Sequence, residues 1–268
     1  MKKVKLFFKG ILMGIADVIP GVSGGTMALI LNIYDELISS IRDIQPLKFF
    51  QTVRFKFFIP LGAGMGLAIF LFSHVIETLL TSHKGPTYAF FFGLIMASVV
   101  HIVRSHPSFH WGRLVGYYAL GAVGAYLCVG LNPLQGHHGV WVTFGSGMIA
   151  IIAMLLPGIS GSFLLLILGQ YEYIIGAIKD MALGILFVFA AGASVGALAF
   201  SRVLYFLLKN YKAQTLAVLV GGMTGALRLP WGFIEESSTS RGVLLLSMAL
   251  GMALVFSLEM GMKLRSRK

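Results

Sequence analysis

Gly14-Ile15-Ala16-Asp17-Val18-Ile19-Pro20-Gly21-Val22-Ser23-Gly24-Gly25-Thr26 breaks an apolar run over residues 10–41, and Leu156-Pro157-Gly158-Ile159-Ser160-Gly161-Ser162 breaks a second over 140–178. Both runs are too long for one simple membrane helix, which needs roughly 20 residues. In each, proline removes a backbone donor and fixes its own φ, and the glycine after it permits a sharp reversal. The run then restarts as a helix at Ser23-Gly24-Gly25-Thr26 and at Ser160-Gly161-Ser162.

Six further apolar segments surround these two, at 57–80, 86–103, 112–131, 183–208, 214–228 and 242–262. They repeat in order. Leu29-Ile30-Leu31 matches Leu166-Ile167-Leu168, and Tyr34 matches Tyr171. Phe72-Ser73-His74-Val75 matches Phe200-Ser201-Arg202-Val203, Leu79-Leu80 matches Leu207-Leu208, and Gly93 matches Gly221. Ala119-Leu120-Gly121 matches Ala249-Leu250-Gly251. Chance likeness between apolar helices does not keep one order over successive segments. The chain therefore divides into two tandem units, 1–135 and 136–268.

Composition sets the class. Apolar residues make up 57% of the chain and charged residues 12%, against about 25% charged in soluble domains. That is too little charge to cover a soluble surface, and long Gly-rich apolar runs indicate a helical membrane protein rather than a β-barrel. The net charge of +11 sits in clusters between apolar segments and at both ends, so it marks cytoplasmic loops and not a nucleic-acid surface. One cysteine, Cys128, excludes an internal disulfide framework and a cysteine metal cluster. Four lysines within residues 1–9 resemble a signal-peptide start, but no small-x-small cleavage site precedes Asp17 and Pro20, so the segment reads as retained.

Charge also decides topology. If each broken segment is a re-entrant hairpin, each unit crosses the membrane three times and the units are inverted. The inner side then carries 16 Lys and Arg, and the outer side only Lys84, Lys179, Arg228 and Arg241. Full crossing by both segments gives 11 against 9. The inverted arrangement satisfies the positive-inside rule, with both termini cytoplasmic. The expected fold is an all-α membrane protein of two inverted-topology repeats, each a re-entrant helical hairpin plus three transmembrane helices. The hairpin tips must then be buried in protein or line a polar cavity. Small-xxx-small pairs Gly62/Gly66, Gly192/Gly196, Gly93/Ala97 and Gly221/Gly225 suit close helix contacts around them. Trp111, Trp141 and Trp231 fall at segment ends, where interface tryptophans belong.

A helix start presents unpaired N–H groups and a positive dipole end. Glycines leave that backbone uncovered and hydroxyls add donors, so Ser23, Gly24, Gly25, Thr26, Ser160, Gly161 and Ser162 form a site suited to phosphate or carboxylate. Capping and turning alone also explain one copy; two copies meeting from opposite sides favour binding. Phe163 stands where the first copy has Thr26, so the half-sites are not equivalent. Ionisable residues inside the apolar segments need a partner or a cavity. For Arg202 a polar-cavity role is favoured over snorkelling, with His74 as its repeat counterpart. Glu77 fits a cavity or the outer interface equally, and Asp17 fits either a proton or cation coupling site or a cap for the turn that follows.

Other readings are weaker. Glu36 and Glu172 fit the membrane surface, and His106, His110, His137 and His138 lie in loops without a carboxylate cluster, which argues against a metal site. No base has a claim on Ser23 or Ser160 as a nucleophile.

The two motifs resemble the signatures of the polyprenyl-phosphate transporter family, and the resemblance covers essentially the whole chain. It implies a bacterial cytoplasmic-membrane flippase that returns undecaprenyl phosphate, the carrier lipid of envelope synthesis, from the outer to the inner leaflet. No cofactor and no enzymatic step are implied; a proton or cation could couple. The residues alone reach an anion-binding inverted-repeat transporter, and a carrier of a small soluble anion remains the alternative. A membrane phosphatase would need a His/Arg/Asp cluster that is not found, and a structural subunit leaves the paired tips unexplained.

The charge asymmetry makes a direct prediction. With Cys128 replaced, single cysteines at Gly136 and Ser238 should react with an impermeant thiol reagent outside intact cells. Cysteines at Gln51 and Lys212 should be spared, and labelling at position 51 would overturn the re-entrant reading of the first segment.

Overall fold

The computed structural model describes residues 2–17, 23–105, 111–131 and 138–266, and the regular structure among them is helical. The first broken segment forms α1 (Lys2–Asp17), α2 (Gly24–Ile30) and α3 (Tyr34–Arg42). A 3-10 turn at Pro46–Lys48 and the short α4 (Phe49–Thr52) lead into α5 (Phe55–Ser82), α6 (Lys84–Ser105) and α7 (Trp111–Val129). The second forms α8 (Val140–Leu155), α9 (Gly161–Ile167) and α10 (Tyr171–Lys179). Then come α11 (Leu183–Asn210), α12 (Lys212–Ala226), α13 (Arg228–Glu235) and α14 (Arg241–Ser266). Three helices of the broken segment followed by three long helical segments recur, with α12 and α13 together forming the middle one of the second set and the connection through α4 as an addition to the first.

Among the described residues five helices are long and apolar enough to cross a bilayer: Phe55–Phe72, Lys84–Arg104, Gly112–Val129, Leu183–Asn210 and Lys212–Glu235. A sixth is counted if α9 and α10, bent by 110° at their junction, form one span. The chain is a multi-pass helical membrane protein.

Each broken segment has two breaks, where the sequence reading expected one. The extra break separates α2 from α3 and α9 from α10. Asn32 and Gly169, which are equivalent in the two units, hold positive φ of 53° and 64°. In both places the chain closes the helix in the same way. The amide of Ile33 bonds the Ala28 carbonyl at 2.9 Å and that of Asn32 bonds Leu29 at 3.1 Å; Gln170 bonds Leu165 at 2.9 Å and Gly169 bonds Leu166 at 3.0 Å. This is the left-handed C-terminal cap, which Gly and Asn enter at least cost.

Four long contacts assemble the bundle, each between helices running in parallel: α1 on α5, α8 on α11, α7 on α12, and α6 on α14. Two of them lie within a unit and two join the units. In lipid no hydrophobic force separates helix from solvent, so close van der Waals contact between backbones carries the association. Glycine supplies that approach. A Cβ on Gly64 would strike the Phe7 carbonyl, on Gly192 that of Phe144, on Gly221 that of Tyr118, on Gly225 that of Ala122, and on Gly93 that of Met248. On α1, Gly10, Met13, Gly14 and Ala16 recur at helical spacing and form the buried face.

The Gly62/Gly66 pair departs from expectation: a Cβ at either position meets nothing within 4 Å. The helix turns Gly64 to α1 instead, so those two glycines lie off the contact. Trp141 and Trp231 are exposed near the ends of α8 and α13; the side chain of Trp111 is outside the described residues. The centre is formed by α2, α6 and α12, where Ala28, Ile30, Ile95, Val220 and Met223 are fully enclosed.

Gly221→Val should therefore lower the stability of the detergent-solubilised protein by about 1–3 kcal/mol through overpacking. Gly62→Val should stay within about 0.5 kcal/mol, as surface changes do. Thermal unfolding of both in one detergent checks the difference, and equal effects would contradict this packing.

Candidate functional site

The site begins where α1 stops. Ser23, in extended conformation (φ −115°, ψ 139°), is the N-cap of α2. Its Oγ accepts from the Gly25 amide at 3.1 Å, and its backbone carbonyl accepts from the Thr26 amide at 2.9 Å. The Gly24 amide donates to Asp17 Oδ1 at 2.6 Å. Position 24 must be glycine for this contact, because a Cβ would lie 2.7 Å from both Asp17 carboxylate oxygens. The first turn of α2 is thus capped by the chain's own carboxylate and hydroxyl, where uncovered amides had been expected. Asp17 is seen in the capping arrangement, which is one of its two sequence readings. Pro20, Gly21 and Val22 lie outside the described residues.

The second motif starts at the end of α8. Gly158 turns the chain with φ of 87°, and a Cβ there would also run into Met223 of α12. Ser160 is the N-cap of α9, but its side chain makes no capping bond. The Ser160 and Ser162 hydroxyls instead bond each other at 2.8 Å. Ser160 is buried while Ser162 is exposed. Gly161 is a packing position: a Cβ would lie 2.5 Å from the Ala150 carbonyl and 2.7 Å from Met154 Cγ. Met154 is the repeat equivalent of Asp17, so a thioether side chain packs over Gly161 where a carboxylate packs over Gly24.

The two motifs are in direct contact. The Gly158 amide donates to Thr26 Oγ1 at 2.9 Å, in a buried position. Tyr34 Oη donates to the Leu155 carbonyl at 2.7 Å. Ser23 Oγ lies 3.3 Å from the Met154 carbonyl and 3.4 Å from that of Leu156, in position to donate to either. The end of a helix leaves its last carbonyls without partners; side chains of the first motif supply them for α8. Phe163 at the Thr26-equivalent position has no hydroxyl for a reciprocal bond.

The structure brings Ser23, Gly24, Gly25, Thr26 and Asp17 together with the 154–161 segment, and it places Ser160 and Ser162 beside them at the start of α9. It does not bring Arg202 there: that side chain is exposed on α11. His74 and Glu77 lie within α5, and their side chains are outside the described residues. Tyr34 is the functional-site neighbour that sequence reading left without a role. It is buried, whereas its equivalent Tyr171 is exposed, and a buried tyrosine hydroxyl needs a partner.

Fold and site define a multi-pass helical membrane protein in which two broken-helix motifs join in the interior. The chain belongs to the undecaprenyl phosphate translocase-like family, whose model matches residues 13–245. It is 42% identical over 249 residues to the polyprenyl-phosphate transporter of Vibrio cholerae, covering 89% of this chain and 80% of that one. It is 34% identical over 237 residues to the polyprenyl-phosphate transporter of Staphylococcus aureus, covering 82% of this chain and 83% of that one. No solved structure matches it.

The contact between motifs predicts two stability effects. Tyr34→Phe strands the Leu155 carbonyl and Thr26→Val strands the Gly158 amide, each at about 1–3 kcal/mol. Thr26→Ser keeps the acceptor and should unfold near the wild-type temperature. Because both bonds hold one five-residue stretch, the double variant should lose less than the sum of the singles. Wild-type stability for both Tyr34→Phe and Thr26→Val would mean the contact contributes nothing.

Proposed function

We propose that this chain moves undecaprenyl phosphate from the outer to the inner leaflet of the bacterial cytoplasmic membrane, for re-use in envelope synthesis. The observation that carries the reading is the contact of the two Ser-Gly motifs inside a membrane bundle, through Ser23, Thr26 and the 154–158 backbone. The printed names of the two relatives support the same lipid. Two units, 1–135 and 136–268, are placed in inverted orientation, with α1–α3 and α8–α10 as re-entrant hairpins and both termini cytoplasmic. The recurring helix order and the 16-to-4 distribution of positive residues support this arrangement.

In this scheme the phosphate is held at the start of α9 by the Ser160 and Ser162 hydroxyls and the Gly161 backbone, and it crosses to the α2 motif at Ser23, Gly24, Gly25 and Thr26. There it competes with Asp17 for the Gly24 amide, which makes Asp17 the group through which a proton or cation would couple. Arg202, exposed on α11, meets the phosphate on the inner half of the path. The tail stays in the bilayer, no bond in the lipid changes, and the protein acts as a carrier and not as an enzyme.

The test is reconstitution of the purified chain in liposomes with labelled undecaprenyl phosphate, following its leaflet. Ser160→Ala with Ser162→Ala should weaken phosphate binding by about tenfold to a hundredfold, the range of hydrogen bonds to a charged group. The weak binding of uncharged polyprenol should be unchanged. Absence of leaflet exchange by the wild type, or equal losses for both ligands, would refute the proposal.

A further inference from the structure

Two cavities adjoin along the α5–α6 side of the bundle, on a route from one end of it to the first motif. The deeper is an apolar groove of about 500 Å³ between α1, α2, α5, α6 and α14. The other is a polar cavity of about 430 Å³ at the α5–α6 turn and the segment joining α13 to α14. His83 and Pro86 line both, so the two cavities are neighbours. Each falls within the roughly 300–1,000 Å³ usual for a ligand pocket.

The groove has depth and direction. Leu79 and Pro86 stand at its outer end, Phe90 and Leu94 follow along α6, and Leu254 closes it from α14. At 1.5 Å per residue, Leu94 lies about 15 Å along α6 from Lys84, and Leu254 about 20 Å along α14 from Arg241. With a hydrocarbon core about 30 Å thick, the groove reaches the middle of the membrane. Its inner end is formed by Ala16 and Met27, the residues next to Asp17 and Thr26 of the first motif. Thr87 also lines it, but its hydroxyl is used by the Leu79 and His83 carbonyls at 3.2 and 2.7 Å, which leaves the wall apolar.

The polar cavity is lined by Lys84, His83 and the hydroxyl-bearing Ser82, Ser237, Ser238 and Thr239, with Glu236 as its carboxylate. The Lys84 ammonium is fixed 3.9 Å over the Phe233 ring, and Gly85 packs directly on Ser237, so the two loops meet. A hydroxyl-rich chamber holding one ammonium and one carboxylate, beside a long apolar groove, suits an amphiphile whose anionic head pairs with Lys84 and whose chain is extended.

We infer that these cavities form the outer-leaflet loading site for polyprenyl phosphate, with the phosphate between Lys84 and the Ser237–Thr239 hydroxyls and the first isoprene units in the Leu79–Leu94 groove. The inference rests on the transport reading and adds where the lipid is first taken up. The inner end of the groove then brings the head to the joined motifs, where the start of α9 takes it before it crosses to the α2 motif. Glu236 opposes the head, so the two charged residues of the chamber act with opposite sign.

The full chain in nanodiscs of phosphatidylethanolamine and phosphatidylglycerol should be irradiated with a polyprenyl phosphate bearing a diazirine on the isoprene nearest the phosphate. Adducts should map to the outer part of α5 and α6 and to α14. Unlabelled undecaprenyl phosphate should suppress them, and excess phosphatidylglycerol should not. Lys84→Gln should reduce the yield, and Glu236→Gln should raise it, each by about twofold to fivefold, as for an exposed charge pair. Leu94→Trp should block the groove and slow leaflet exchange, while labelling of the wild type keeps the test valid if that variant misfolds. Adducts elsewhere, suppression by phosphatidylglycerol, or identical responses to the two charge changes would overturn the loading site. If wild-type liposomes exchange the lipid but the groove stays unlabelled, the loading site falls alone. If the groove is labelled specifically but no exchange occurs, transport falls and the binding site stands.

Discussion

Irregular backbone inside a bilayer is tolerated only when its polar groups are paired within the protein. The segment from Met154 to Gly158 concentrates that demand: three successive carbonyls and one amide at the broken end of α8. Ser23, Tyr34 and Thr26, more than a hundred residues away, supply partners for them. A membrane hydrogen bond adds only about 0.6–2 kcal/mol. The cost of leaving such groups unpaired in hydrocarbon is several kcal/mol each, and that larger figure decides the architecture. The second motif is paired only once the first is beside it. The glycine contacts of α1 with α5, α8 with α11, α7 with α12 and α6 with α14 then hold the surrounding helices close enough to keep the two together.

The two motifs match in sequence, yet their contact is one-sided. Thr26 accepts a bond from Gly158, whereas Phe163 has nothing to offer in return. Tyr34 is enclosed and bonded across, whereas Tyr171 is exposed. Asp17 reaches the first amide of α2, whereas Met154 packs at the corresponding place over Gly161. The two helix starts therefore differ: the first amide of α2 meets the Asp17 carboxylate, and at α9 the N-cap Ser160 side chain makes no capping bond.

Much of this was legible in the sequence. Composition and run length identify a helical membrane protein, and proline and glycine mark the break that follows α8. What escaped has physical causes. The second break depends on a single left-handed residue, and Asn32 gives a weaker signal for it than Gly169. Small-xxx-small spacing finds a narrow helix face but not the neighbour it serves; on α5, residues 62, 64 and 66 are all glycine, and only the position of α1 selects Gly64. The capping role of Asp17 puts its carboxylate on the Gly24 amide, seven positions further along the chain. Local propensity carries no information about such a contact. Arg202 illustrates the converse: an arginine within an apolar segment suggests a buried partner, yet its helix presents it on the exposed side.

The Asp17 contact bears on how an anion could be released as well as bound. A carrier must hold its ligand firmly enough to select it and weakly enough to let it go. If a phosphate takes the Gly24 amide, it displaces one charged acceptor with another, so the bond gained at that donor is offset by the bond lost to Asp17. Charge-assisted bonds of similar type nearly cancel in such an exchange. Net affinity at the first motif then comes from the remaining donors and from the lipid chain, and departure of the phosphate is assisted by the returning carboxylate. The absence of a side chain at Gly24 is what permits this substitution, since a Cβ there would strike the carboxylate oxygens. At α9 no such internal competitor stands ready, because Met154 takes the equivalent place. In the proposed cycle the tip without a carboxylate is therefore the stronger holder, the self-capped tip is the releasing one, and the order of the two along the path gives the exchange its direction of handover.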